Sequence, residues 1–406
     1  MESKKSKTRM TSDLIVYWET GLLDGRQPLL LGSLEFAKDG FSETIGKSLG
    51  LYAVHPIDYQ DDQICIEYNF LEATESFRYG LEPVSLAIHG TSDVLGLIER
   101  MPGLWDGPIS VGVFLDSDSL MVLEYLRNLH KCDRDFNRKV TIHFAYRKSI
   151  FQKGCRPVDV PMTNLTCREF MANRKSWRIP SSFLLYPYSM MRNVARRGAK
   201  SDLHFVIDAD MVPSIGVARD IMPVANALLD GKRKVVLLIR RFETRKGADV
   251  PRTVADLKMS MRAKRTFEFH YQFHPNLHLI KNLPYWFTKS RSSDNVSAWE
   301  IEPRMPHWEP QPILHRNDLY APDYVPSRVK DMVSLAFKLC RAGYSFHLAS
   351  YAFTVHEGVK TSNSLFNVAV ATHQQLHAKH RAHKRFADEI RTLYPDTVDK
   401  CGNFEI

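Results

Sequence analysis

From Val84 onward the chain alternates short apolar runs with helix-spaced segments, and that alternation leaves few folds open. Val84-Ser85-Leu86-Ala87-Ile88 reads as a buried strand that stops at His89-Gly90-Thr91-Ser92-Asp93. Residues 94–101 follow with helical spacing. A second strand at 109–115 stops at Asp116-Ser117-Asp118-Ser119, residues 120–129 are again apolar at helical intervals, and 140–145 make a third strand. Strands separated in this way by helices form βαβ units with a parallel sheet and right-handed crossovers. The fold class is therefore α/β, and a chain of 406 residues can build it as two domains or as one large unit with a substantial core.

The next strand carries the most informative polar residues. A helix spaced over 187–199, with Met190, Met191, Val194 and Ala195 on one stripe, leads into Leu203-His204-Phe205-Val206-Ile207 and then Asp208-Ala209-Asp210-Met211. Side chains alternate along an extended segment, so the two acids point the same way. They stand beyond the carboxyl end of a strand, where open α/β sheets bind ligands. Hard carboxylate oxygens suit Mg or Mn. A bare Asp-x-Asp is equally compatible with a solvated strand-to-loop transition, so the residues around it decide.

One such residue is His356, at the end of Tyr351-Ala352-Phe353-Thr354-Val355 and followed by Glu357-Gly358-Val359-Lys360. An imidazole there can ligate Mn, Gly358 lets the backbone approach closely, and Lys360 can neutralise phosphate oxygens. The remainder contains strands at 235–239 and 346–355, helices at 329–342 and 368–394, and a Pro- and aromatic-rich stretch up to Pro312. Residues 1–80 have no clear period and read as an N-terminal extension or stem.

Net charge of +9 favours anionic partners such as nucleotide diphosphates without choosing among them. No nucleic-acid motif occurs, so nucleic acid is not an expected partner. No run approaches the ~18–20 apolar residues that cross a bilayer. The six cysteines lack Cys-x-x-Cys spacing, which argues against zinc. Asn164-Leu165-Thr166 and Asn295-Val296-Ser297 are glycosylation sequons for a secretory chain. His373, His377, His380 and His383 share helical spacings, but interleaved Lys379, Arg381, Lys384 and Arg385 oppose a cation and suggest a solvated basic face.

Taken in order, several segments resemble glycosyltransferase family 49, from about Ser85 to Cys401. They are Leu86-Ala87-Ile88-His89-Gly90-Thr91, Trp105-Asp106-Gly107-Pro108-Ile109-Ser110 and Tyr186-Pro187 leading to Arg192-Asn193-Val194-Ala195-Arg196. Val206 to Ser214, Trp308-Glu309-Pro310, Val355 to Lys360 and the tail from Phe386 to Pro395 complete the set.

This resemblance implies a GT-A-like single unit with a mixed, mainly parallel sheet flanked by helices. Residues 81–406 would form it, with a nucleotide-sugar half at 81–215 and, at 216–406, an acceptor half ending in a metal and phosphate segment. The implied activity is an inverting transfer of a sugar, typically glucuronic acid, from a UDP donor to a hydroxyl of a glycan or glycoprotein. By the same likeness Asp208, Asp210 and His356 hold Mn, with Mg an alternative, and Lys360 and Gly358 lie beside the diphosphate. His89, Gly90, Thr91, Arg192, Asn193 and Arg196 face the donor, where an arginine suits a glucuronate carboxylate. Inversion needs a general base near the acceptor hydroxyl. Glu309 is the first candidate, because the adjacent Trp308 offers a flat face for a sugar ring; Asp323 is the second.

Family members are Golgi type II membrane proteins, which implies a Golgi location and an anchor that this sequence does not display; a homodimer is compatible. Where relatives carry Asp-Glu-Arg-Phe and then Gly-Tyr-Gly-Phe-Asn, this chain has Tyr320-Ala321-Pro322-Asp323-Tyr324-Val325-Pro326-Ser327-Arg328-Val329-Lys330. Pro and Arg in place of glycine forbid the same backbone path; the resemblance implies that this loop lies on the acceptor or sugar side of the site. The altered loop also motivates an alternative, a catalytically idle protein of the same fold that binds a glycan or nucleotide.

Overall fold

A computed structural model describes residues 52–54, 57–59, 63–77, 80–149, 151–177, 179–180, 185–291 and 296–406. Ten strands form the frame of its main sheet: β1 Ile64–Leu71, β2 Val84–Gly90, β3 Ile109–Leu115, β4 Val140–Arg147, β5 Leu203–Val206, β6 Met211–Pro213, β7 Val235–Thr244, β8 Ala298–Ile301, β9 Gln311–His315 and β10 Ser345–Glu357. Their order across the sheet is β8-β10-β7-β9-β5-β2-β3-β4-β1, with β6 paired to β10.

The alternation of the sequence survives as a parallel block. Strands β5, β2, β3 and β4 run parallel in register, with Leu86 opposite Phe205 and Ile109. Every residue of β2 and β3 is buried, as continuous apolar strands between two helical layers require. The crossovers are α1 (Leu95–Leu104), α2 (Met121–Cys132) and α3 (Tyr188–Gly198). Helix α3 lies tight against the sheet because Gly112 has no side chain: a Cβ there would sit 3.2 Å from the Met191 carbonyl oxygen. That close approach fixes the height of Arg192 over the strand ends.

Strand β9 enters antiparallel between β5 and β7 and joins the parallel block to a second parallel pair, β7 and β10. The sheet is thus mixed and flanked by helices, including α4 (Val217–Leu228), α5 (Asp331–Arg341), α6 (Leu365–Gln374) and α7 (His380–Leu393).

The folded unit starts earlier than residue 81. Ile64–Leu71 pairs antiparallel with β4, and Ile57–Tyr59 adds beyond it. Its half-buried, irregular pattern hides the strand from a periodicity reading. Residues 1–51 of the expected extension lie outside the described residues.

All six cysteines are paired, as Cys65–Cys155, Cys132–Cys167 and Cys340–Cys401. The last ties α5 to the C-terminal segment. A π-turn at 375–379 separates α6 from α7 within the expected long helix. The histidine face is not wholly solvated: His383 is buried and its Nε2 lies 3.2 Å from the Val329 carbonyl. Sequon residue Asn164 is exposed, whereas Asn295 lies outside the described residues. Among the described residues, no helix is long and apolar enough to cross a membrane.

Candidate active site

Beyond the carboxyl ends of β2 and β5 the chain gathers charge that the sheet positions strand by strand. Asp208 lies two residues past β5 and opens a turn in which the Met211 N–H donates to its carbonyl at 3.2 Å, so the two acids are oriented by this turn and not by an extended segment. The Asp208 Oδ1 lies 3.3 Å from Arg192 Nη2 on α3 and 3.9 Å from His89 Nε2 at the end of β2. Arg192 is a bridge, since its Nη1 also reaches Asp331 Oδ2 at 3.1 Å. Burial works against the guanidinium charge, yet Asp331 and Asp208 hold it above its ordinary range. In return, despite the burial penalty, the Arg192 charge keeps the Asp208 carboxyl below the usual carboxylate range. His89 is stacked on Tyr186, whose hydroxyl is 2.6 Å from Nδ1; burial lowers its pKa to about 3 and leaves the ring neutral.

Asp210 meets its partner through sheet register. Strand β6 pairs antiparallel with β10 so that Met211 opposes His356, which places His356 Nε2 3.3 Å from Asp210 Oδ2. His356 Nδ1 lies 2.8 Å from the Gly358 carbonyl. With Nδ1–H donating there, the charged ring also donates Nε2–H to Asp210; loss of that proton frees the Nε2 lone pair that a metal ligand needs. Burial opposes a charged ring, and Asp210 more than compensates, raising the His356 pKa. Gly358 has a φ of +104°, and a Cβ there would meet nothing within 4 Å; backbone conformation, not space, requires the glycine.

The donor chemistry of these three residues fits a hard divalent cation. Asp208 and Asp210 remain 42% and 47% exposed, open to a ligand from solvent. Among the described residues, however, no three ligating side chains are already gathered at metal spacing. Asp208 is turned to Arg192 and Asp210 to His356.

Glu309 lies in a neighbouring cavity of about 560 Å³ with Lys360, Arg328, Asp331 and His278. Its carboxyl is only 20% exposed, with Oε2 3.8 Å from His278 Nδ1. Burial and the charge of Asp331 push its pKa up to about 7, against the opposing pull of Arg241 and Arg192. A carboxyl titrating near neutrality is poised for proton transfer. Its backbone carbonyl accepts from Arg241 Nη2, a guanidinium also 2.6 Å from His278 Nδ1. Lys360 Nζ sits 4.3 Å over the Phe273 ring, while its backbone N–H donates to Glu243 at 3.3 Å.

Several expected contacts fall elsewhere. Trp308 is 0% exposed and packs on Phe346 within the core, so it cannot offer a face to a sugar in this cavity. Arg196 is 1% exposed; its guanidinium donates to the carbonyls of Leu319 (2.9 Å) and His315 (3.1 Å) and lies over Tyr320. Asn193 spends both ends of its amide on Ala321 and also donates to Asp323. These two side chains anchor the 320–330 loop from below and do not face a donor. Asp323 lines a separate cavity with Tyr324 and Arg385, away from Glu309. Thr91 accepts from Asp93 N–H as a helix cap, and a Cβ on Gly90 would strike Val94.

The loop itself takes left-handed backbone without glycine, at Arg328 (φ 63°) and Lys330 (φ 58°). Its anchors hold this conformation. Ser327 donates to the Tyr186 carbonyl, and Arg328 donates to the Tyr188 hydroxyl while stacking on its ring. The loop thereby delivers Arg328, Lys330 and Asp331 to the Glu309 cavity. Sequence reasoning missed Arg241, Arg328 and Asp331. Arg240-Arg241 at the end of an apolar strand was a usable signal; Asp331 had none, because its role depends on α3.

Residues 83–395 match the family model described as glycosyl-transferase for dystroglycan. The chain is 26% identical to beta-1,4-glucuronyltransferase 1 of Homo sapiens, covering 78% of this chain and 77% of that protein. It is 21% identical to xylosyl- and glucuronyltransferase LARGE1 of Mus musculus, over 74% of this chain and 36% of that one. Among solved structures, GalNAc-T7 with UDP, GalNAc and Mn2+ aligns at 9% identity and TM-score 0.39, covering 80% of this chain and 61% of its own. S. aureus TarS 1-349 with UDP aligns at 13% identity and TM-score 0.32, covering 78% and 73%.

Proposed function

This chain belongs to the family of glycosyl-transferases for dystroglycan, and from that premise we propose that it moves glucuronic acid from UDP to a glycan hydroxyl with inversion, dependent on a divalent cation. The observation that carries the reading is the buried Glu309, with its pKa near 7, in a cavity that abuts the Asp208–Arg192–Asp331 bridge.

Asp208, Asp210 and His356 would hold Mn, or Mg; bound there, the cation would offset the charge that develops on the departing UDP. Arg192 keeps Asp208 ionised and fixed in place. Glu309 accepts the proton of the acceptor hydroxyl as that oxygen bonds to the sugar carbon and the bond from that carbon to UDP breaks. Lys360 and Arg328 add positive potential around the same cavity. Arg328, with its planar fork free of any carboxylate partner in the described contacts, reads the uronate carboxylate in place of Arg192 and Arg196 of α3. The name of the glucuronyltransferase relative supports this donor. Three disulfides favour an oxidising compartment, in keeping with the Golgi lumen.

The test is a donor screen with the purified chain and Mn, using UDP-glucuronic acid, UDP-xylose and UDP-N-acetylglucosamine with glycan acceptors. UDP release and transfer with the first supports the reading; no transfer from any of them refutes it.

A further inference from the structure

A second cavity, of about 690 Å³, lies against the far side of the two segments that wall the catalytic one. The relation is visible in single residue steps. His278 and Glu309 line the catalytic cavity, whereas Ile280 and Trp308 line the second. Its outer wall is aromatic: Trp299, on the edge strand β8, meets Tyr285 edge-to-face with ring centroids 5.3 Å apart, and Tyr285 is 46% exposed. Polar side chains complete the lining, among them Asn282 and Arg304.

The floor is built rigidly. Arg240, almost fully buried, donates to the carbonyls of Ile280 (2.8 Å) and Lys281 (2.6 Å) and to Glu268 at 3.0 Å. Charge around the rim balances, with Lys281 and Arg304 against Glu300 and Glu302, so the cavity suits a neutral ligand. Aromatic faces for apolar C–H surfaces, with a few fixed donors for hydroxyl oxygens, are the recognition set for a sugar ring.

We infer that this cavity is a carbohydrate-binding exosite that holds a neutral saccharide unit of the acceptor glycan, away from the hydroxyl that receives the transferred sugar. Its role in acceptor choice rests on the glycan-transfer reading above; its binding of saccharides does not.

The test uses the full chain without donor or metal and follows tryptophan fluorescence and saturation-transfer NMR with xylotetraose, cellotetraose and chitotetraose. Wild type should bind at least one of them saturably, Trp299→Ala and Tyr285→Ser should each weaken that binding about tenfold, the loss of roughly one aromatic contact, and Asp210→Asn should leave it unchanged. Should Trp299→Ala not fold, the exposed Tyr285→Ser carries the comparison. Absence of binding to all three tetrasaccharides, or binding that both aromatic variants retain, overturns the exosite. Transfer assays then separate the two proposals: a chain inactive with every UDP-sugar that still shows Trp299-dependent binding removes the proposed reaction and keeps the exosite.

Discussion

Glu309→Gln separates the proton chemistry of this site from its architecture. An amide replaces the carboxyl at nearly the same volume, and the surrounding charges stay where they are. The folded carboxyl titrates at about 7 against an ordinary value of 4.5, a gap set by burial and Asp331. At about 1.4 kcal/mol per pH unit this is worth roughly 3 kcal/mol of folding free energy. The sign follows from proton binding. Below pH 4.5 both states are protonated and Glu309 contributes nothing. Between 4.5 and 7 the unfolded carboxyl ionises while the folded one holds its proton, so stability falls as pH rises; above 7 the loss is complete. Buried neutral histidines such as His143 and His204, lowered by burial to about 3, act oppositely, and their stability is lost as pH falls from 6.5 towards 3. Taking the difference between wild type and variant cancels them. Urea unfolding at about pH 5 and pH 8 should therefore find Glu309→Gln more stable than wild type by up to roughly 3 kcal/mol at the higher pH and by little at the lower. UDP-sugar transfer should fall about 10²–10⁴-fold, and wild-type kcat/KM should rise with pH through a midpoint near neutrality. Coincident stability differences at both pH values, or a variant that transfers at the wild-type rate, would refute the assignment of Glu309 as a buried general base.

Asp210→Asn should abolish metal-dependent UDP release while leaving the melting temperature close to wild type, because the side chain is half exposed; a variant with normal release would remove Asp210 from the site. Arg192→Met leaves the partly buried Asp331 and the more exposed Asp208 without their shared counter-charge, and should cost about 1.5–3 kcal/mol in denaturant titration. A loss under ~1 kcal/mol would mean that the bridge is screened as a surface pair is. Reduction of Cys340–Cys401, which spans 61 residues, should cost about 4 kcal/mol by loop entropy, measurable as a lower melting temperature of the Cys340→Ser/Cys401→Ser variant.

Much of this site was legible in the chain because it depends on local pattern. Apolar runs at 84–88, 109–115, 140–145 and 203–207 announce buried strands, and Asp208 and Asp210 fall just past the last of them, as expected; the turn over 208–211 that orients the two acids is not the extended segment the pattern suggested. That His356 joins Asp210 was a matter of family likeness in the sequence; in the fold it follows from the pairing of β6 with β10, which puts Met211 opposite His356. Trp308 shows the opposite case. Its position beside Glu309 suggested a sugar platform, but consecutive residues of an extended segment face opposite ways, so Glu309 reaches the cavity and Trp308 the core.

The sequence by itself determined the α/β class and the strands of the parallel block, since each rests on side-chain periodicity within one segment; their order across the sheet and the turn that orients Asp208 and Asp210 come from the fold. Only the tertiary structure decided which arginine does what. Arg192, Arg196 and Arg241 are chemically alike, and a sequence cannot distinguish them. Burial between Asp208 and Asp331 makes the first a bridge, backbone carbonyls make the second an anchor for the 320–330 loop, and contact with Glu309 makes the third part of the catalytic wall. The same long-range packing raises the pKa of Glu309 to about 7: desolvation and Coulomb terms depend on distances across the fold, and no spacing along the chain encodes them.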